Sequence, residues 1–329
     1  MEKTTHNTNI VFIGSGAIAT ALGNILAADE DLDVCLLSIE KDVVHDINHN
    51  HINFRYFPAT QLHPYLKASS ETAVLRRADL IFLAIPSNAI LTYLKQSKIL
   101  IPAHTPLINL AKGFGDAFQL IPECIAAMMP NPVACMKGPS FAREIINRQP
   151  TAFTIAASDK KINEMLADLF GETTIHLDHS NDILGVEYAS ILKNIYAIVI
   201  GIVDANFDSP NLRSLVLSKA INEMRQLIKT FGGQEETIFK YCGFGDFSLT
   251  ALNDLSRNRT LGLLIGKGFF SQDISEKVVL EGRIAVQVFY EELEKRQLTG
   301  VNYPLMTELY KVFNTDYDIG KFVNNILND

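Results

Sequence analysis

Residues 185–201 place one ammonium in a run that is otherwise almost wholly apolar, and Lys193 is the only charged side chain between Glu187 and Asp204. A lysine among hydrocarbon neighbours must find anionic or hydrogen-bonding partners, or its pKa falls because desolvation disfavours the charged form. Either outcome suits a group that gives and takes a proton. The alternative for this segment is a lysine that snorkels to the surface from a core helix. Other reactive groups stand elsewhere in the chain. Lys112-Gly113 follows the apolar run Leu107–Ala111, and Asp246 lies in the glycine-flanked segment Cys242–Phe247. Ser256-Arg257-Asn258 sets a hydroxyl, a forked guanidinium and an amide side by side, a group suited to phosphate oxygens. Taken singly, Lys112 is also a plain loop lysine, and Asp246 and the Ser256–Asn258 trio are also capping or turn residues.

The elements that must hold these groups follow from periodicity. The Lys193 run has no Pro and is apolar on nearly every side, which predicts a buried central helix. Its length and its internal Ser190, Lys193 and Asn194 argue against a membrane span. Near the N-terminus, the short apolar run Asn9–Ile13 ends in Gly14-Ser15-Gly16-Ala17-Ile18-Ala19 before a helical pattern over Thr20–Ala28. Strand, glycine turn and helix together bring backbone N–H groups and a positive helix end to a pyrophosphate, with Ala19 where a third glycine often stands. A second strand, Asp33–Ser38, is followed by Glu40, near the distance at which an acid hydrogen-bonds an adenosine ribose. No Arg occupies that turn, which favours NAD(H) over NADP(H), although Lys41 could reach a 2′-phosphate. Glu40 is otherwise a solvated loop acid.

Further strands are expected over Asp79–Ile85, Leu107–Ala111 and Thr151–Ala156, with a helix over Ile162–Phe170. Lys112, at the carboxyl end of one of them, would face the coenzyme crevice of a doubly wound sheet. Gly138-Pro139-Ser140-Phe141-Ala142 reads as a stiffened turn whose Ser140 can cap a helix and whose N–H groups could serve an anion. From Asp182 the spacing is almost entirely helical, including an amphipathic helix over Arg213–Phe231 ended by Gly232-Gly233. The switch puts a boundary between 180 and 181. It separates an α/β domain with a mainly parallel sheet, over 1–180, from an all-α domain over 181–329.

The totals exclude several classes. A chain of 329 residues that is 47% hydrophobic can bury two cores. A net charge of −8 with 29 Lys and Arg offers no general attraction for nucleic acid or an anionic membrane, so an anionic ligand needs a local basic pocket. Cys35, Cys124, Cys135 and Cys242 form no CxxC pair, so neither a zinc knuckle nor a disulfide framework is expected, and the compartment should be reducing. His45, His49 and His51 lack a supporting ligand set and read as solvated surface rather than a metal site. No signal-peptide core precedes Asn9, and no later run reads as long and apolar enough to span a bilayer; a cytoplasmic protein is expected.

In this order, the motifs resemble NAD(P)-dependent sn-glycerol-3-phosphate dehydrogenase of the bacterial type. The resemblance covers almost the whole chain: the Gly14–Ala19 turn, Ile47-Asn48, Asn53–Pro58, Ala84–Ser87, Lys112-Gly113, Gly138–Ala142, Gly185–Glu187 with Leu192-Lys193-Asn194, Gly243–Asp246, Leu255–Arg259 and Leu280-Glu281-Gly282. It implies a Rossmann-like N-terminal domain, a helical C-terminal domain like that of 6-phosphogluconate dehydrogenase, and a homodimer. The implied reaction is reduction of dihydroxyacetone phosphate to sn-glycerol 3-phosphate for glycerophospholipid synthesis. By the same resemblance Lys193 is the acid/base, with Lys112 and Asp246 beside it. Lys112, Gly138, Ser140, Lys193, Asp246, Ser256, Arg257 and Asn258 would hold the phosphorylated substrate. Gly14, Gly16, Ala17, Ile18, Ala19, Lys112, Ala142, Arg257, Val279 and Glu281 would touch the coenzyme.

The chain departs from the family pattern at Ala17 and Ile18, where Ser and an aromatic are usual, and at Ile39, where Arg or His is frequent. Ala111 replaces a usual Thr, and Asn206–Leu212 lacks a Gly-rich loop. Side chains that favour a 2′-phosphate are thereby missing from the glycine turn and the second strand. The competing readings are another Rossmann-plus-helical dehydrogenase of a hydroxy acid or sugar acid, and a non-catalytic dinucleotide-binding sensor.

Overall fold

The computed structural model of the chain describes residues 7–269, 281–299 and 302–328. Contacts group the chain into two units, Met1–Ala111 with Gln119–Ile183, and Lys112–Phe118 with Leu184–Asp329. Sequence alone suggested one cut at 180/181; the contact grouping instead assigns the short segment Lys112–Phe118 to the helical unit.

The first unit is an eight-stranded sheet in the order β3-β2-β1-β4-β5-β6-β7-β8. Its strands are β1 (Thr8–Ile13), β2 (Leu32–Leu37), β3 (Lys67–Ser69), β4 (Leu80–Leu83), β5 (Leu107–Asn109), β6 (Val133–Lys137), β7 (Thr151–Ala157) and β8 (Ile175–Ser180). All neighbours run parallel except β6 and β7. A sheet covered on both faces needs apolar side chains in both directions, and β1 supplies them. Ile10 and Phe12 enter one core cluster, and Val11 and Ile13 the other. Phe12 stacks on Phe82 at 4.6 Å between ring centroids. Helices α1 (Ala17–Leu26), α2 (Lys41–His45), α3 (Ser87–Ser97), α4 (Ile121–Met128), α5 (Ala142–Ile146) and α6 (Lys160–Phe170) join the strands. The strand order reverses at β1, so the crevice beyond the carboxyl ends of β1, β2 and β4 is the switch point where such sheets bind ligands.

The second unit is built around α7 (Ile183–Asn206), in which every residue from Gly185 to Val203 is buried. By length and mean hydropathy of 1.5 this helix qualifies as a membrane span, contrary to the expectation that no run in the chain would. Its apolar window is nevertheless wholly buried inside the fold, because protein side chains surround it on all sides. Around it stand α8 (Pro210–Thr230), α9 (Asp246–Leu252), α10 (Arg257–Gly266) and the helices Glu281–Lys295 and Pro304–Asn314. No strand occurs among the described residues of this unit. Backbones of α7 and α10 touch: a Cβ on Gly201 would lie 2.3 Å from the Arg259 carbonyl oxygen, and one on Gly262 2.1 Å from that of Ile198. Where a Gly-rich loop was missing from the sequence, α7 and α8 form a tight hairpin. Ser209 caps α8 by accepting from Leu212 N, and Arg213 Nε binds Asp204 Oδ1 at 2.6 Å across the turn.

Candidate active site

In the sheet unit, Gly14 has φ of +119°, a conformation glycine adopts freely, and a Cβ there would lie 2.6 Å from the Ala84 carbonyl oxygen. Gly16 is the N-cap of α1 with no side-chain cap, and nothing lies within 4 Å of where its Cβ would be. Open space in front of uncapped helix N–H groups is what a pyrophosphate needs. Gly14, Ser15 and Gly16 line a crevice of about 350 Å³ with Ser38, Ile39, Glu40, Tyr56 and residues 84–86. These residues fit the adenosine and pyrophosphate parts of a nicotinamide dinucleotide. Ala17 and Ile18 are half-buried and Ala19 is buried, on the first turn of α1.

Gly138 follows β6, where a Cβ would collide with the Ala152 carbonyl oxygen at 2.2 Å. Ser140 does not cap α5, as its position had suggested. Its hydroxyl donates to the Gly138 carbonyl at 2.9 Å, and the N-cap of α5 is Phe141, without a side-chain bond. Ala142 is the first residue of that helix.

The helical unit holds the cations. Lys193 Nζ donates to Asp246 Oδ1 at 2.6 Å and to Thr250 Oγ1 at 2.8 Å. Its side chain is 8% exposed, so it does not snorkel. Lys112 Nζ donates to the other oxygen, Asp246 Oδ2, at 2.7 Å. One carboxylate, 1% exposed, thus carries two ammonium groups. Burial is the main cause that lowers the Lys193 pKa from 10.5 to about 7; Asp246 opposes the fall, and the Lys112 charge assists it. Asp246 is aimed inward by the wide π turn Tyr241–Gly245 that precedes α9, with Gly243 passing so close to Ile238 that a Cβ would lie 2.2 Å from its carbonyl oxygen. Thr250, one turn further along α9, donates to the Asp246 carbonyl at 2.7 Å and so presents its lone pairs to Lys193. The reading of single residues missed Thr250. The i, i+4 spacing from Asp246 was its only signal.

Lys112 is held by its neighbours in the chain. Phe118 lies 4.6 Å from Phe231 and 5.6 Å from Phe289, and Phe114 lies 5.2 Å from Phe289, all between ring centroids. This aromatic cluster anchors the Lys112–Phe118 segment in the helical unit.

Ser256 does cap: its Oγ accepts from Arg259 N at 3.2 Å at the start of α10. The capping alternative is therefore realised in Ser256, and the cap leaves its hydroxyl hydrogen available. Arg257 is exposed on the first turn. Asn258 Nδ2 donates to Asn194 Oδ1 at 3.0 Å, which ties the α10 start to the residue after Lys193, and Asn258 Oδ1 is buried without a partner. Arg259 binds Asp204 Oδ2 at 2.9 Å and Asp254 Oδ1 at 2.7 Å, a second tie between α10 and α7. Glu281 opens the helix Glu281–Lys295, while Val279 and Leu280 lie outside the described residues. His45 and His49 stack at 4.3 Å on the surface, and no cluster able to hold a metal ion occurs among the described residues.

Comparison with known proteins points to one family. Residues 9–163 match the family "NAD-dependent glycerol-3-phosphate dehydrogenase N-terminus" and residues 182–324 its C-terminal counterpart. A glycerol-3-phosphate dehydrogenase [NAD(P)+] of Clostridium botulinum is 33% identical over 309 residues, 93% of this chain and 92% of the relative. That of Leptospira biflexa is 31% identical over 326 residues, 97% of each chain. The crystal structure of a glycerol-3-phosphate dehydrogenase from Coxiella burnetii superposes with a TM-score of 0.89 at 28% identity, covering 98% of this chain and all of that one. With both family segments matched in order along a Rossmann-like unit and a helical unit, the chain belongs to the NAD(P)-dependent glycerol-3-phosphate dehydrogenase family of oxidoreductases.

Proposed function

We propose that this chain reduces dihydroxyacetone phosphate to sn-glycerol 3-phosphate with NADH or NADPH, NADH being preferred, and that Lys193 is its proton donor and acceptor. One observation carries the reading: a buried ammonium and a second cation share the carboxylate of Asp246. The bound coenzyme supplies the hydride in reduction. What this chain must supply is a proton for the ketone oxygen and an environment that tolerates its negative charge. Two ammonium groups on one buried carboxylate would leave net positive charge there, which stabilises a developing alkoxide. Lys193, with a pKa near 7, is then matched to give its proton to that oxygen and to take it back in the reverse direction. Asp246 and Thr250 orient its Nζ.

In this reading Arg257, Ser256 and Asn258 bind the phosphate, with Gly138, Ser140 and Lys112 completing the substrate contacts. Gly14, Gly16, Ala17, Ile18, Ala19, Ala142, Lys112, Arg257 and Glu281 hold the coenzyme in the same reading, and Val279 would join them from outside the described residues. The 1–180 domain is the dinucleotide-binding part and 181–329 the substrate part. A cytoplasmic homodimer feeding glycerophospholipid synthesis completes the proposal, by likeness to the family.

The test is absorbance of the reduced nicotinamide when dihydroxyacetone phosphate is added, with each coenzyme in turn. A decay is expected with both, faster with NADH, and no decay with either would favour a dinucleotide sensor. Lys193→Ala should lower kcat by about 10²- to 10⁴-fold or more, the usual contribution of a general acid, with coenzyme affinity little altered. Near-normal turnover in that variant removes Lys193 from the chemistry.

A further inference from the structure

We propose that coenzyme choice in this chain is governed by an ion pair between two loops: Glu40 occupies Arg55, and Arg55, not Lys41, is the cation that a 2′-phosphate recruits once Glu40 is neutralised. The inference rests on the nicotinamide-dinucleotide reading and names the residues that discriminate within it. Arg55 Nη1 binds Glu40 Oε1, and Arg55 Nη2 lies 3.4 Å from Asp42 Oδ2.

Both partners are fastened to the glycine turn. Asn53, fully buried, donates from Nδ2 to the Ser15 carbonyl at 2.9 Å and to Thr20 Oγ1 at 2.8 Å, and it accepts from Tyr56 N and Phe57 N. Arg55 therefore stands on a short loop fixed against Gly14–Gly16. On the other side, Ser38 Oγ lies 2.7 Å from Ser15 Oγ and accepts from Glu40 N at 3.1 Å. Glu40 and Tyr56 both line the crevice of the glycine turn.

An acid at the end of the second strand meets the adenosine ribose in this fold. Glu40 uses Oε1 for Arg55, which leaves Oε2 for a ribose hydroxyl. A 2′-phosphate at that place meets the Glu40 charge first. The guanidinium it needs is already engaged, but only weakly, since the Arg55 and Glu40 side chains are 49% and 28% exposed and solvent screens such pairs. Arg55 has a planar fork that matches two phosphate oxygens, which the point charge of Lys41 does not.

The experiment is a fluorescence titration of the full chain with NADH and NADPH, reading Kd rather than turnover. Wild type, Glu40→Gln, Arg55→Ala, the double variant and Lys41→Ala are compared, with thermal melting to confirm folding. Glu40→Gln should tighten NADPH by about 10-fold, the factor that 1.4 kcal/mol carries, and weaken NADH. The double variant should lose that gain, and Lys41→Ala should leave the NADH to NADPH ratio unchanged. An unchanged NADPH affinity in Glu40→Gln, a gain that survives loss of Arg55, or a ratio controlled by Lys41 overturns the proposal. A chain that binds both coenzymes with this pattern yet leaves dihydroxyacetone phosphate unreduced would refute the proposed reaction alone; a chain that binds neither refutes both.

Discussion

At the scale of single residues, burial lowers the Lys193 pKa most, with Asp246 opposing the fall and Lys112 adding to it. In the proposed mechanism reduction draws on protonated Lys193, so its rate should fall as pH rises through about 7, whereas oxidation of glycerol 3-phosphate would start from the neutral amine and should rise over the same range. The Lys112 charge pushes the Lys193 pKa down. Lys112→Gln should therefore move both limbs to higher pH, and limbs that stay in place would show that the two cations do not communicate. Arg257 makes a different prediction. Arg257→Ala should raise KM for dihydroxyacetone phosphate well beyond its effect on unphosphorylated dihydroxyacetone; equal losses would remove it from phosphate binding. Lys193 was conspicuous in the sequence because charge is rare in an apolar run. Thr250 was not, since a threonine on a short helix carries no such contrast.

At the scale of elements, α7 is held by close backbone approach and by a buried acid. Gly262→Ala puts a methyl 2.1 Å from the Ile198 carbonyl oxygen and must push α10 off α7. A loss of about 1–3 kcal/mol, typical of overpacking, is expected from denaturant titration. Glu223 on α8 accepts from Tyr196 of α7 at 2.7 Å and from the backbone N–H groups of Leu305 and Met306 at 3.0 and 2.8 Å, so it caps the helix Pro304–Asn314 from within the core. Burial raises its pKa from 4.5 to about 7, against the lowering effect of those three donors. A carboxyl whose folded pKa is raised binds its proton more tightly in the folded chain. Its contribution to stability is complete below about 4.5 and is lost as pH rises through about 7. Glu223→Gln, which does not titrate, should gain on wild type over that interval; a constant difference in melting temperature from pH 5 to 8 would contradict this. The glycine turn and the long helices were legible from local pattern. The three-residue strand β3, the edge strand β8 and the π turn before Asp246 were not, because each is specified by the neighbours it meets rather than by its own periodicity.

For the whole molecule, the segment Lys112–Phe118 matters most. It leaves the sheet unit after Ala111 and packs the half-buried Phe114 and Phe118 against Tyr188, Phe231 and Phe289 of the helical unit before the chain resumes the sheet unit at Gln119. A fragment of residues 184–329 lacks both rings, and the faces of Phe231 and Phe289 would meet water. Such a fragment should bind a hydrophobic dye and melt without a cooperative transition, by calorimetry. A sharp transition like that of the intact chain would mean that the aromatic cluster is dispensable.

Sequence alone determined what is local: a strand-glycine-helix start, a buried helix with one cation, and a serine cap at the start of α10, since each depends on residue types within a few positions of one another. The tertiary structure decided the partners. Lys193 and Asp246 are 53 residues apart and Lys112 and Asp246 are 134 apart, and only the path of the chain brings them within hydrogen-bond reach. Glu40 and Arg55 are the same case over 15 residues, because two turns must first be fixed to Ser15 before their charges meet. A charge announces itself in sequence by contrast with its neighbours, whereas its partner is chosen by packing.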